Sequence, residues 1–129
     1  MRTSFAFSVL LLFSFTAVMG QDVSEVQVAT TIAFTEGPTA DAAGNIFFTD
    51  QANNRIMKLA ADGKLSTFRQ PANYANGLVF DPQWRLVACE SGDPAAGTPA
   101  RLTRTDLKTG RVEVLVDKYE GKNLVAPMM

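Results

Sequence analysis

The sequence predicts an all-β fold of the β-propeller type, and two observations support this prediction. The first is a loose internal repeat, in which the segment that begins at Glu36 returns at Asn76 after about 40 residues. The second is the pattern within each repeat, where short apolar or alternating stretches are separated by turn residues, as around Asp41 and at Asp62-Gly63. Repeats of this length with several short strands are typical of propeller blades.

The repeat divides the chain into blades. We predict blade one at about residues 28–69, blade two at about 76–116 and the start of a third blade at 117–129. Residues 28–34 are rich in Thr, Val and Ile and predict an outer strand. Closed propellers contain roughly four to eight blades, so residues 21–129 are predicted to be the N-terminal part of a larger ring.

Residues 1–20 have the pattern of a secretory signal peptide. Arg2 precedes an uncharged, apolar stretch at 5–18, and polar Gln21-Asp22 follows. The alternative is a membrane anchor, but the apolar stretch is shorter than the roughly 20 residues that span a bilayer. The pattern predicts a secreted or periplasmic protein with no membrane attachment once the signal is removed.

Composition excludes several classes of function. The chain has no histidine, which removes Ser-His-Asp catalysis and His-ligated zinc. Lys and Arg number 12 against 13 Asp and Glu without a basic cluster, which argues against nucleic-acid partners. Cys89 is the single cysteine and lies in an apolar run, so we predict a small buried hydrophobic residue rather than a nucleophile.

Glu36 is the candidate metal ligand. It lies before Gly37-Pro38, at the start of the strand predicted to be innermost in blade one. Innermost strands line the central channel of a propeller, and oxygen ligands that converge there suit a hard divalent cation. The alternative is an ordinary solvated turn residue.

Asn76 is the candidate substrate-binding residue, because it occupies the position of Glu36 in the second repeat. Its amide could donate to a substrate oxygen or join a water network at a metal. The alternative is a plain Asn-Gly turn. No catalytic residue is assigned.

Two further carboxylates and four cations are predicted to be structural. Asp50 and Glu90 each end a second strand, where carboxylates are usually solvated or capped by backbone amides. The cations alternate with apolar residues on the third strands and are interpreted as a polar outer face: Arg55, Lys58, Arg101 and Arg104.

These motifs resemble the gluconolactonase family, whose relatives include the calcium-binding lactonase regucalcin. The matching stretches are Phe34-Thr35-Glu36-Gly37-Pro38, Gly44-Asn45-Ile46-Phe47-Phe48-Thr49-Asp50, Asn54-Arg55-Ile56, Ala75-Asn76-Gly77-Leu78, Arg85-Leu86-Val87-Ala88-Cys89-Glu90 and Tyr119-Glu120-Gly121-Lys122.

The resemblance implies a six-bladed propeller that holds one divalent metal, most often calcium, in its channel. It implies Glu36 as a metal ligand, Asn76 near the substrate, and hydrolysis of a small-molecule sugar lactone. The metal would polarise the ring carbonyl while a carboxylate activates water.

The chain departs from the family pattern after Lys122. There the family usually reads Leu-Asn-Ser-Pro-Asn-Asp, and Met128-Met129 replace the Asn-Asp pair that faces the channel. The family's other metal ligands have no counterpart, and calcium requires six to eight oxygen ligands. We therefore expect a truncated N-terminal third of an exported lactonase, inactive by itself.

Two other hypotheses stay open. The chain could be a non-catalytic binding module, as in propellers of the NHL-repeat type, which would need no metal at Glu36. It could also complete a six-bladed ring by association of three copies.

Overall fold

The computed structural model describes residues 28, 30–31 and 34–126, and these residues form an all-β fold. Two four-stranded sheets and one small hairpin account for the ten strands. The first sheet contains β1 (Thr35–Ala40), β2 (Ile46–Asp50), β3 (Arg55–Leu59) and β4 (Leu65–Arg69). The second contains β5 (Ala75–Phe80), β6 (Leu86–Glu90), β7 (Arg101–Thr105) and β8 (Val112–Val116). The hairpin pairs β9 (Lys118–Tyr119) with β10 (Lys122–Asn123).

Each sheet is an antiparallel meander in which the strands lie side by side in chain order. The two sheets also share an irregularity, because the register shifts on the innermost strand between Glu36 and Thr39 in one sheet and between Ala75 and Gly77 in the other. The repeat seen in the sequence is therefore a repeat of structure, with one blade-like sheet per unit.

The first turn of each sheet is built by an aspartate. Asp41 Oδ1 accepts hydrogen bonds from the backbone N–H groups of Ala43 and Asn45, both at 2.9 Å. Asp81 repeats this with the N–H groups two and four residues further on, at 3.0 and 2.9 Å. The turn needs a left-handed residue before the next strand, and Gly44 occupies this position in the first sheet with φ 81°.

Trp84 occupies the left-handed position in the second sheet, with φ 59°. Its ring packs against Phe80, with 5.8 Å between the ring centroids. The left-handed conformation is unfavourable for a residue with a Cβ atom. The contact with Phe80 covers part of the Trp84 ring and so favours tryptophan at this position.

The core lies between the two sheets. Phe47 is buried at its centre and meets Phe68 and Phe80 edge to face, with centroids 5.0 and 5.4 Å away. The other buried members come from β3, β5, β6 and the connection between the sheets: Ile56, Ala72, Ala75, Leu86 and Ala88. The sheets therefore pack face to face and bury one shared apolar layer.

The outer strand predicted at 28–34 stays a prediction, since such a strand would pair with the last blade of a complete ring; its described residues Val28, Thr30, Thr31 and Phe34 lie outside strands. One sequence prediction is wrong: Cys89 is exposed rather than buried. It points away from the shared core, since its neighbours Ala88 and Glu90 point into that core and side chains alternate along a strand.

The predicted signal peptide at 1–20 and the Met128-Met129 pair lie outside the described residues. In the part of the chain that the structure describes, no helix has the length and apolar character needed to cross a membrane.

We expect the fold to lose stability in acid. Burial raises the pKa of Asp50, but hydrogen bonds from Arg55 and Asn53 outweigh it and hold the pKa below its ordinary value of 3.8. Three turn carboxylates, whose oxygens accept backbone hydrogen bonds, also have lowered pKa values: Asp41, Asp81 and Asp106.

A carboxyl group with a lowered pKa in the folded state stabilises the fold fully above its unfolded pKa, about 4. That contribution is lost as the pH falls through the folded value. Urea unfolding from pH 7 to pH 2 should give a nearly constant free energy of unfolding above about pH 5 and a steep decrease below about pH 4. Asp50→Asn should lower the stability at pH 7 and flatten the decrease. A free energy of unfolding that stays constant down to pH 2 would contradict this account.

Candidate functional site

The two innermost strands, β1 and β5, run against each other where the sheets meet. Gly37 has φ 52°, and a Cβ atom built on it would lie 2.4 Å from the carbonyl oxygen of Asn76 and 2.7 Å from Gly77 Cα. Such distances leave no room for any side chain at position 37. The Glu36-Gly37 dipeptide therefore permits backbone-to-backbone contact between the two repeats.

Thr49 on β2 contacts both of these strands through its side-chain hydroxyl. Its hydroxyl oxygen lies 3.0 Å from the carbonyl oxygen of Glu36 and 3.0 Å from the carbonyl oxygen of Asn76. The single hydroxyl hydrogen can be donated to either carbonyl. Thr49 is 0% exposed, so this polar link is sealed from water.

The structure brings the two candidate site residues together. Glu36 and Asn76 lie at the same end of neighbouring innermost strands, their carbonyl oxygens share Thr49, and both residues are half-buried. Asn76 also lines a cleft of about 400 Å³ together with Gly77, Cys89 and residues 124–126. A carboxylate and an amide on neighbouring backbone segments supply the oxygen atoms that hard cations and sugar hydroxyls bind.

The metal assignment at Glu36 stays a prediction. Among the residues that the structure describes, no group of three or more His, Cys, Asp or Glu side chains could hold a metal ion. Glu36 could supply one oxygen ligand of a larger site, but a single carboxylate is too few ligands to bind calcium.

Asp50 and Glu90 are both buried. Carboxylates at strand ends are usually exposed to solvent or capped by backbone amides, which is what the sequence predicted for these two. Asp50 is 0% exposed and pairs with Arg55 Nε at 2.7 Å, while Asn53 donates to both of its oxygens. Arg55, which the sequence predicted only as part of a polar outer face on β3, therefore forms a buried ion pair. Its guanidinium neutralises a buried carboxylate of its own sheet.

Glu90 is the centre of a larger buried network. It is 4% exposed, pairs with Arg101 Nε at 2.7 Å, and accepts hydrogen bonds from the Thr103 hydroxyl and from Arg69. Arg69 comes from β4 of the first sheet and also donates to Thr103 and Thr105. The network therefore connects the outer strand of one sheet to the second and third strands of the other.

Sequence reasoning missed this network, although one signal was present. An acid at the end of the second strand is followed by an arginine at the start of the third in both repeats, as Asp50 with Arg55 and Glu90 with Arg101. The role of Arg69 has no such signal, because it lies 21 residues before its partner Glu90 and in another sheet.

Comparison with protein-family models and with curated proteins found no match. Solved structures do match. A candidate gluconolactonase from a structural genomics project is 33% identical with a TM-score of 0.61, and the match covers 71% of this chain and 30% of that protein. A gluconolactonase from Xanthomonas campestris, described as important in secondary glucose metabolism, is 30% identical with a TM-score of 0.61 over 71% of this chain and 29% of its own.

A third structure shows the fold alone. An inactivated virginiamycin B lyase from Staphylococcus aureus, solved with quinupristin, is 17% identical with a TM-score of 0.53, over 75% of this chain and 31% of its own. The chain thus spans about a third or less of the length of each solved protein that it matches. The two four-stranded sheets, arranged in chain order and packed through their innermost strands, have a gluconolactonase-like propeller fold.

Proposed function

We propose that this chain forms the first blades of a propeller that hydrolyses a sugar lactone. In this proposal Glu36 supplies one oxygen ligand of a divalent metal ion, and calcium is the expected ion. The observation that supports this most is the placement of Glu36 beside Asn76 at one end of neighbouring innermost strands. The two gluconolactonases at 30% and 33% identity support the choice of substrate class.

In this proposal the two residues have different roles. The Glu36 carboxylate supplies negative charge to the cation, and the Asn76 amide donates a hydrogen bond to a substrate oxygen. A bound divalent cation supplies Lewis-acid polarisation of a lactone carbonyl. The close backbone contact at Gly37 and the Thr49 hydroxyl, which reaches the carbonyl oxygens of both residues, support this proposal because they keep the backbone of Glu36 next to that of Asn76.

The activity belongs to the complete ring, since the remaining metal ligands must come from other innermost strands. The test is therefore a chimera, in which residues 34–126 replace the matching part of the Xanthomonas campestris gluconolactonase. Hydrolysis of glucono-δ-lactone is followed as acid release, with calcium and after its removal by a chelator. Circular dichroism confirms that each variant is folded.

We expect the chimera to hydrolyse the lactone and to lose the activity with the metal. Glu36→Gln removes the charge but keeps the shape, and it should reduce activity by about 100-fold or more, as loss of a metal ligand does. The matched control is Glu120→Gln, an exposed glutamate on the β9–β10 hairpin, which should retain full activity. A folded chimera whose calcium affinity and activity are the same with Glu36→Gln would overturn the metal assignment.

A further inference from the structure

The buried network around Glu90 carries more positive than negative charge. In the described part of the chain, Glu90 is the only carboxylate within ion-pair distance of Arg69 or Arg101. The other two members, Thr103 and Thr105, contribute neutral hydroxyl groups. A net charge of one positive unit therefore lies where Glu90 and both threonines are at most 4% exposed. Such a charge is unfavourable unless an anion compensates it.

The equivalent network in the first sheet is neutral. Asp50 pairs with one arginine, Arg55, and its other side-chain partner is the uncharged amide of Asn53. The excess in the second sheet arises because Arg69 enters it from β4 of the first sheet and adds a second cation to Glu90. All members of the charged network belong to the junction of the two sheets that the structure describes.

The network also has more hydrogen-bond donors than acceptors. Among the described residues, Arg69 Nε is buried without a hydrogen-bond partner. Arg101 uses its Nε for Glu90, and its terminal amino groups have no partner in the same part of the chain. The Arg101 side chain is 29% exposed, against 13% for Arg69. An anion from solvent therefore meets the excess charge at Arg101.

Arg101 lies at the same end of the sheet as the candidate site. Ala75, which precedes Asn76, pairs with Glu90, and Glu90 pairs with Arg101. Neighbouring strands are about 4.8 Å apart, so the backbone of Arg101 is about 10 Å from the innermost strand beside Asn76. The side chains of Glu90 and Arg101 meet on one side of the sheet, where Nε is 2.7 Å from the carboxylate.

We propose that Arg101 binds an acidic group of the substrate, so that the lactone taken by this site carries a carboxylate or a phosphate. The substrate class rests on the proposed function, whereas anion binding rests on the network alone. A guanidinium group donates paired hydrogen bonds to the oxygens of both anions. Glu90 holds Nε and thereby orients the edge formed by the terminal amino groups. The lactone ring lies towards Asn76 and the acidic group at the far end of the sugar.

The first experiment is calorimetric titration of the full chain with inorganic phosphate and, separately, with acetate, at low salt and with a chelator present. We expect saturable binding that Arg101→Met weakens by about tenfold for phosphate. This variant leaves Glu90 paired with Arg69 in a neutral network, so circular dichroism should show a retained fold. The matched control is Arg104→Met, because Arg104 is on the same strand, is 26% exposed and has its own partner in Glu113. It should leave the affinity unchanged.

The second experiment tests the substrate class in the chimera. The substrates are glucono-δ-lactone, its 6-phosphate ester and a lactone of glucaric acid, which carries a carboxylate. Arg101→Met should raise KM about tenfold for the two acidic lactones and leave KM for glucono-δ-lactone unchanged. An inactive chimera would count against the proposed function and against the substrate class with it, while the phosphate titration separately decides whether Arg101 binds anions.

Several results would overturn the proposal. Phosphate binding that is absent, or that Arg101→Met and Arg104→Met affect equally, shows that the excess charge makes no site at Arg101. If Arg101→Met does not fold, Arg101→Lys keeps the charge without the paired donors and should weaken phosphate binding about threefold; an unchanged affinity contradicts the proposal. An equal effect of Arg101→Met on KM for all three lactones shows that the bound anion is not part of the substrate.

Discussion

Gly37→Ala should be among the most destabilising single substitutions in this chain. Its φ of 52° is a left-handed conformation that costs a residue with a Cβ atom about 1–2 kcal/mol. The added methyl group would also lie 2.4 Å from the Asn76 carbonyl oxygen and 2.7 Å from Gly77 Cα, both parts of the neighbouring backbone. Moving two packed strands apart costs about another 1–3 kcal/mol.

The expected total is a loss of about 3 kcal/mol in the free energy of unfolding, measured by urea denaturation. Gly63→Ala is the matched control, because Gly63 has φ 86° and no atom lies within 4 Å of the place that its added methyl group would take. Gly63→Ala therefore measures the free-energy cost of the left-handed conformation alone, without the cost of the steric contact that Gly37→Ala adds. Equal losses for the two variants would show that β1 and β5 do not approach each other as closely as the structure has them.

Glu90→Gln should be comparably destabilising, for an electrostatic reason. Glu90 is the counter-ion of two arginines, and Arg69 is itself largely buried, with a side chain 13% exposed. Removing one partner of a buried ion pair typically costs about 3–5 kcal/mol, because the remaining charge is left without compensation in a site that excludes water. We expect about 3 kcal/mol and a decrease in Tm of roughly 10–20 °C.

The control for Glu90 is Glu113→Gln. Glu113 also pairs with an arginine, Arg104, but its side chain is 39% exposed, so its loss should cost less than about 1 kcal/mol. A double-mutant cycle with Arg69→Met then tests whether the network connects the two sheets, since Arg69 and Glu90 belong to different ones. A coupling energy near zero would contradict that role.

The local features of the fold could be predicted from the sequence. The two turns at Asp41 and Asp81 depend on hydrogen bonds that span two to four residues, so a short stretch of chain contains everything they need. The same holds for the antiparallel meanders, in which each strand pairs with the next along the chain. The positions of Glu36 and Asn76 on the innermost strands follow from the repeat.

Burial was harder to predict, as Asp50, Glu90 and Cys89 show. Both carboxylates are covered because arginines neutralise them, and for Glu90 one of these arginines comes from the other sheet. Cys89 lies in an apolar strand that looks buried on both sides, yet only one side of the second sheet is covered in the described residues. Which side of a strand is covered depends on how sheets pack.

The order of residues was enough to predict an all-β fold, a structural repeat over residues 36–116, and equivalent positions for Glu36 in the first unit and Asn76 in the second. These properties depend on turn chemistry and strand periodicity, which act over a few residues. The packing of the sheets was needed to establish that Gly37 meets the backbone of Asn76 and that Arg69 reaches Glu90. Those contacts join residues about 20 to 40 positions apart, and packing of whole sheets brings them together.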